Sequence, residues 1–517
     1  MKKRGLLIII SLVLIIFIVM LSWGNEFNIF IEKPNAIKSD NLTDSVTQKN
    51  EITLDEHSAN KFINPIKYNR GGDPSIYYGG DGYYYFTCTE GFKKNTRITL
   101  RKAKEPYLIS YGEQKTIWWE KCAPNGLWAP ELFKHDGVWY IYYAVTNAGH
   151  KERRMFVLKC EDEDPINGTW ENLGQITDST NLFAIDGAVF ENKGQLYYIW
   201  SGWESLTDTR QRIFIASMSN PYTLNSPRTC ISTPTEEWET HNTPVNEGPI
   251  AMVSHGNVHL TFSGSQANLR YYALGMVTAS SDSDLLDAAS WKKTEGPVFL
   301  EHENVYAVGG NCFIKSKDGT EDWLVYHAFN KLGQWGDDRD VFMTKINWNG
   351  DTPDFGKPVP YESLTEVPSG STFNYDIYEA EEAEITGASK VMPESAHDFH
   401  GFTGNGYVEF SSNNTESVTF NITVEKKGTY TLLFRYTNDE ESTKKLKLSV
   451  NDETIKKDLS FPATNNVNDF YDVRIYNYTR TECQIKLNQG SNTIKLESTG
   501  NGGPWLDCLL IPKSFSK

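Results

Sequence analysis

DGYYYFTCT (residues 81–89), DGVWYIYYAVT (136–146), KGQLYYIWSGW (193–203), HGNVHLTFSGS (255–265) and TEDWLVYHAFN (320–330) repeat one pattern: a turn with glycine or acidic residues, then an aromatic-rich alternating strand. Their starts fall roughly 55 to 65 residues apart, longer than the spacing of about 40 to 50 usual for propeller blades, which leaves room for inter-strand loops. Regular fivefold recurrence fits blades set around an axis, so residues 58–372 are expected to be all-β, a five-bladed β-propeller. A two-sheet sandwich is the alternative, and the recurrence fits it less well. Helical periodicity is confined to SDLLDAA (283–289), where Ser or Asp can cap a short turn.

Outward from this region the composition changes. Past Val367-Pro368-Ser369-Gly370, short strand candidates bounded by turns, among them YTLLFRYT, KLKLSV and NTIKLES, fill the chain to its end. Residues 375–517 are expected to form a β-sandwich. Before the propeller, residues 25–57 are polar and aperiodic and read as a flexible linker. Ahead of that, Lys2, Lys3 and Arg4 precede the apolar run from Leu6 to Trp23. At about 1.5 Å per residue the run reaches roughly the 30 Å hydrocarbon core, so residues 1–24 are expected to be an export signal kept as a membrane-anchor helix, with the chain after Trp23 outside the cell. A signal peptide cleaved later in the linker is the alternative. The protein is expected to be extracellular, surface-anchored or secreted, and monomeric.

The 517 residues carry a formal charge of −17, which leaves no basic footprint for nucleic acid. The 27 Tyr and 14 Trp favour pleated sheets and also supply flat faces for sugar rings. Seven cysteines, at 88, 122, 160, 230, 312, 483 and 508, show neither C-x-x-C nor metal-ligand spacing. They read as buried fillers, with a single Cys483–Cys508 bridge left open.

Three acids sit where strands meet bends. Asp73 lies in NRGGDPSIYY, where Gly71-Gly72 permits close backbone approach and Pro74 is expected to push Asp73 towards an extended conformation. Asp186 lies in LFAIDGAVFE, an apolar strand in which a buried acid is costly without a partner. Glu247 lies in PVNEGPIAMV, where Gly248-Pro249 forces a bend. Inverting hydrolysis of a glycosidic bond needs one carboxylate to activate water and one carboxylic acid to protonate the leaving oxygen, about 6.5–9.5 Å apart. Taken singly, Asp73 and Asp186 read more often as turn caps, and Glu247 as a rim acid, than as catalytic groups; only the ensemble favours catalysis.

NPIKYNRGGDPSIYYGGDGYYYFT (64–87), GLWAPELFKHDGVWYIYYA (126–144), IDGAVFENKGQLYYIWSGW (185–203) and VNEGPIAM (245–252) resemble, in order, four signature segments of glycoside hydrolase family 43, inverting enzymes on five-bladed propellers. The resemblance runs from Asn64 to about Gly356. It implies Asp73 as general base, Glu247 as general acid and Asp186 as the residue that tunes the acid. Trp128 and Trp203 then become sugar platforms, with blade-core packing equally compatible. His327 aligns with an axial histidine beside a hydrated metal, often calcium, although a satisfied core histidine fits as well. The Gly-His-Asn of many relatives is replaced by Gly309-Gly310-Asn311, which alters any such axial site. Glu131 of W-A-P-E reads as a structural or rim acid. WETHNTPVNEGP and DLLDAASWKK resemble the arabinofuranosidase branch. The expected function is therefore release of α-L-arabinofuranosyl residues from arabinan or arabinoxylan. The alternatives are a β-xylosidase or galactan-directed hydrolase of the same family, or a non-catalytic surface glycan receptor.

YEAEEAEITGA (378–388), GYVEF, FRYTND and GNGGPWLDCLLI (500–511) resemble carbohydrate-binding modules of families 6 and 35. That resemblance implies a structural calcium on Glu379, Glu381 and Asp507, and sugar contacts from Asn438, Asn501 and Trp505. A plain acidic strand start and a tryptophan packed under the sheet are the alternatives.

Overall fold

Strands dominate because the aromatic runs bury both faces: Val138–Val145 is buried at every position after its first. The computed structural model describes residues 60–514 apart from 91–95, 121–125, 147–148, 332–338, 393–400, 412, 414 and 469–473. The anchor segment, the linker and Cys122 lie outside these residues. Among the described residues, helical turns are all of the 3-10 type, and no helix is long and apolar enough to cross a membrane. The turn expected near Ser283 is Ala288–Ser290, with the Asp287 side chain accepting from the Ala289 N–H.

Five antiparallel sheets follow one another along the chain. They begin with the strands Gly72–Tyr78, Trp128–His135, Ala184–Asn192, Asn246–Ser254 and Tyr306–Lys315. Each of the five repeat segments supplies its sheet's second strand, from Tyr84–Thr89 to Asp322–Phe329. The first strand of each sheet lies against the first strand of the next, and that of the fifth against that of the first. On the third strand of the fifth sheet, Asp340–Lys345, Val341 donates its N–H to Lys67 O (2.8 Å) and accepts from Ile66 N (2.8 Å). Lys61–Asn64 pairs with Ser363–Glu366. The segment ahead of the first sheet therefore fastens onto the last.

From Phe373 onward two sheets face each other. One contains Tyr407–Glu409, Trp505–Ser514, Gly428–Thr437 and Thr479–Leu487; the other contains Ser417–Val424, Gly490–Ser498, Lys444–Val450 and Glu453–Phe461. Alternation decides which side is core. Val418, Phe420, Ile422 and Val424 from one strand meet Ile494 and Leu496 from its neighbour in one apolar layer, with Leu432, Phe434 and Leu509 opposite. Cys483 and Cys508 are both buried and unpaired, so the bridge left open above does not form.

The sandwich is joined to the first of the five sheets through backbone. Gln114 and Tyr478 exchange N–H to O bonds (2.9 and 3.2 Å), and Thr116 N donates to Asn477 Oδ1 (3.1 Å).

Candidate active site

Each of the five first strands breaks register at an equivalent place, and the fifth breaks a second time between Tyr306 and Gly309. Bulges fall between Gly72 and Ser75, Trp128 and Glu131, Ile185 and Ala188, Glu247 and Ile250, and Gly309 and Cys312. At each, one residue has positive φ: Asp73 (49°), Ala129 (43°), Asp186 (54°), Gly248 (58°) and Gly310 (48°). A bulge re-aims a side chain, and aspartate tolerates the left-handed region better than most residues. Asp73 is thus not extended as Pro74 suggested; the bulge overrides the proline's preference. Two of the five positions carry Asp, and Glu247 immediately precedes a third.

Close packing explains the glycines. A Cβ on Gly310 would stand 2.6 Å from His327 Nδ1 and 2.7 Å from Asp73 Oδ1, which leaves no room there for the histidine of the relatives. Gly72 lies against the Arg339 guanidinium, and Gly71 against Val341. A cavity is lined by Asp73, Glu131, Asp186, Gly248, Tyr272 and Asn311. Glu247 joins it through Tyr272, whose hydroxyl donates to Glu247 Oε1 (3.1 Å), and Asp186 Oδ2 accepts from Gly248 N (3.0 Å).

The electrostatics separate the three acids. Burial pushes the Asp73 carboxyl up, but Arg339, whose Nη1 lies 3.1 Å from each carboxylate oxygen, together with His327 and a hydrogen bond from Thr89 outweighs it, and the net shift is downward. Asp186 is raised to about 7, by burial first and then by the charge on Asp73. Glu247 is raised well above the ordinary glutamate value, by burial and then by Asp186 and Asp73. Asp73 is thus held towards its ionised form, and Asp186 and Glu247 towards their protonated forms.

Sequence reasoning missed Arg339. It is fixed in the site from 266 residues away, and no local signal marks it. Glu131 is no rim acid: it lines the cavity, and burial followed by the charges of Asp73 and Asp186 pushes its carboxyl well up, opposed by a bond from Ser75. Trp128 is half-buried under the Arg153 guanidinium, 3.4 Å from its ring centroid. Trp203 and His327 do not face a sugar. Trp203 is buried and stacked on Phe183 at 4.7 Å, and His327 is fully buried. The Asp73 N–H donates to His327 Nδ1 (3.1 Å), and burial drives the ring's pKa down to about 3, so the neutral ring carries its proton on Nε2. Nε2 has no hydrogen-bond partner among the described residues. A protonated ring nitrogen is a donor, so this position does not fit direct coordination of an axial calcium.

In the sandwich, Asn438 is buried, and its side chain donates to Ser442 O (2.9 Å) and Phe461 O (3.0 Å), so it braces a turn rather than meeting sugar. Asn501 is exposed, and its carbonyl accepts from Lys444 (3.1 Å). Trp505 is half-buried between Tyr407 (4.9 Å) and Tyr476 (4.6 Å). Glu379, Glu381 and Asp507 do cluster. Asp507 pairs with Arg435 and accepts from Thr403 N (2.7 Å), and Thr403 Oγ1 also reaches Glu379 (2.9 Å). Glu381 Oε1 accepts from Asn405 N (2.7 Å), whereas its Oε2 is buried without a hydrogen-bond partner. Burial, then Asp507 and Glu381, push Glu379 well up. The hard-oxygen set and the orphan oxygen suit calcium chemically. Among the described residues, no three acidic, histidine or cysteine side chains converge closely enough to hold an ion as they stand.

A family model described as glycosyl hydrolases family 43 matches residues 62–353, and one described as carbohydrate binding module (family 35) matches residues 376–511. An extracellular exo-alpha-(1->5)-L-arabinofuranosidase of Streptomyces avermitilis is 38% identical over 326 residues, 61% of this chain and 66% of its own length. An alpha-L-arabinofuranosidase of Humicola insolens is 35% identical over 57% of this chain and 64% of its own. The chain thus spans about two thirds of the length of these relatives. The crystal structure of an alpha-L-arabinofuranosidase from Lactobacillus brevis, 36% identical, superposes with a TM-score of 0.55 over 58% of this chain and 98% of that one.

Proposed function

The chain belongs to glycosyl hydrolase family 43, and on that premise we propose that it is an extracellular, inverting α-L-arabinofuranosidase acting on arabinan-type polysaccharide. The observation that carries the reading is three carboxyls at equivalent bulges beside one cavity, with Asp73 pushed towards its ionised form and Asp186 and Glu247 towards their protonated forms. An ionised Asp73 takes the proton of the attacking water. Glu247 gives its proton to the glycosidic oxygen as the bond to the leaving sugar breaks. Asp186 holds Gly248 N and, by its charge, keeps Glu247 protonated. Arg339 fixes Asp73 and preserves its charge.

The cyclic contact of the five first strands supports a five-bladed propeller over residues 58–372, with residues 375–517 as a carbohydrate-binding sandwich that raises the local concentration of polymer. Calcium is proposed on Glu379 and Glu381, with Asp507 sharing in it. An upward shift in melting temperature on adding calcium, reversed by chelator, supports this, and no shift removes it. Leu6 to Trp23 is proposed as the export segment, retained as an anchor or cleaved. Substrate class is tested by incubating the protein with aryl glycosides and with arabinan, arabinoxylan and galactan, and separating the products. Free arabinose is expected; xylose or galactose alone would reject the arabinofuranosidase reading.

A further inference from the structure

The residue before the proposed acid is gripped from three directions. Asn246 is fully buried on the strand Asn246–Ser254. Its carbonyl accepts from Ser201 Oγ (2.9 Å), its side-chain Oδ1 from Ser232 Oγ (2.8 Å), and its Nδ2 donates to Glu239 Oε1 (3.0 Å). Glu239 is itself fully buried at the end of the 3-10 turn Glu237–Glu239. Its Oε2 accepts from Thr235 N (2.7 Å) and Glu236 N (2.9 Å), and its Oε1 also pairs with Lys293. The turn is tied back to the acid's strand by Val245 N to Glu239 O (3.1 Å).

A buried carboxylate with every lone-pair direction used is rigid, and this one divides its bonds between its own turn and the neighbour of Glu247. Capping the turn needs only Oε2. The Oε1 bond to Asn246 is additional, and it fixes the peptide from which Glu247 projects, one residue before the bulge at Gly248. Among the described residues the Glu247 side chain is held by one hydrogen bond, from the Tyr272 hydroxyl, so its aim is set largely by its backbone.

We infer that Glu239 is a positioning residue for Glu247, acting through Asn246 to hold the acid in line with the leaving oxygen. This rests on the reading of Glu247 as general acid. In Glu239→Gln, the amide can keep its oxygen towards Thr235 and Glu236 only by turning its NH2 towards the NH2 of Asn246 and the Lys293 ammonium. Donor then faces donor, and the hold on Asn246 is lost while the side-chain volume is kept.

The test compares leaving groups. An alcohol leaves only with a proton, whereas para-nitrophenolate leaves with little help. For Glu239→Gln, kcat/KM on α-1,5-linked arabinobiose is expected to fall about tenfold or more, and on para-nitrophenyl α-L-arabinofuranoside less than about threefold. Equal losses on the two substrates would mean a merely structural role and overturn the inference. Glu247→Ala is the control. If it shows the leaving-group dependence and Glu239→Gln does not, the positioning inference alone fails; if Glu247→Ala shows none, the acid reading fails and takes the inference with it. Should Glu239→Gln not fold, Asn246→Ser breaks the same link and is judged by the same two substrates.

Discussion

Two places in this molecule gather carboxylates beside an arginine, and they are built to opposite ends. On the first strands of the five sheets, Asp73 is paired with Arg339 while Asp186 and Glu247 line or adjoin a cavity. In the sandwich, Asp507 is paired with Arg435 while Glu379 and Glu381 bond to Thr403 and to local backbone. Burial and mutual repulsion push carboxyls up in both clusters. The difference is backbone: at the first site each carboxylate sits on or beside a left-handed bulge residue, whereas the second rests on regular strand and turn. Buried acid alone therefore does not mark chemistry; buried acid aimed into a cavity by strained backbone does.

The largest expected effect breaks the two clusters apart. Asp73→Ala and Glu247→Ala are each expected to lower kcat/KM on arabinan by about a thousandfold or more in protein that remains folded. Asp507→Ala should do the reverse. It leaves Arg435 buried without its carboxylate, a loss of about 3–5 kcal/mol in denaturant unfolding, while protein that remains folded still hydrolyses an aryl arabinofuranoside. Loss of hydrolysis in folded Asp507→Ala would erase the distinction.

A smaller effect sharpens the role of the first arginine. Arg339 lowers the Asp73 pKa, and activity needs Asp73 ionised, so the acid limb of kcat/KM lies at low pH in the wild type. In Arg339→Gln the Asp73 pKa rises, and activity should be lost at a higher pH as pH falls. An unmoved acid limb would separate Arg339 from the base.

The smallest effect compares glycines. Gly310→Ala meets both positive φ and the crowding of His327 and Asp73, so activity should fall more than stability. Gly256 also has positive φ but nothing within 4 Å of a Cβ, so Gly256→Ala should cost about 1 kcal/mol and leave kcat/KM untouched. Equal kinetics in the two variants would count against close packing around Gly310.

What the sequence made legible follows from how local each signal is. The second strands announce themselves by aromatic alternation, and Asp73, Asp186 and Glu247 by glycine or proline neighbours that betray a bend. The left-handed conformation of Asp73 was hidden, because Pro74 argues locally for the opposite and the bulge is a tertiary demand. Arg339 was hidden because a long side chain reaching across sheets leaves no local trace. Trp203 and Asn438 misled for a related reason: the residue types that bind sugar also fill cores and brace turns, and only packing distinguishes the two.

The most direct measurement of the central claim, an ionised Asp73 and a protonated Glu247 flanking one glycosidic bond with water between base and sugar, is proton NMR of the first product formed from an α-L-arabinofuranoside. The β-anomer is expected to appear first and then to mutarotate; the α-anomer appearing first would contradict inversion by Asp73 and Glu247.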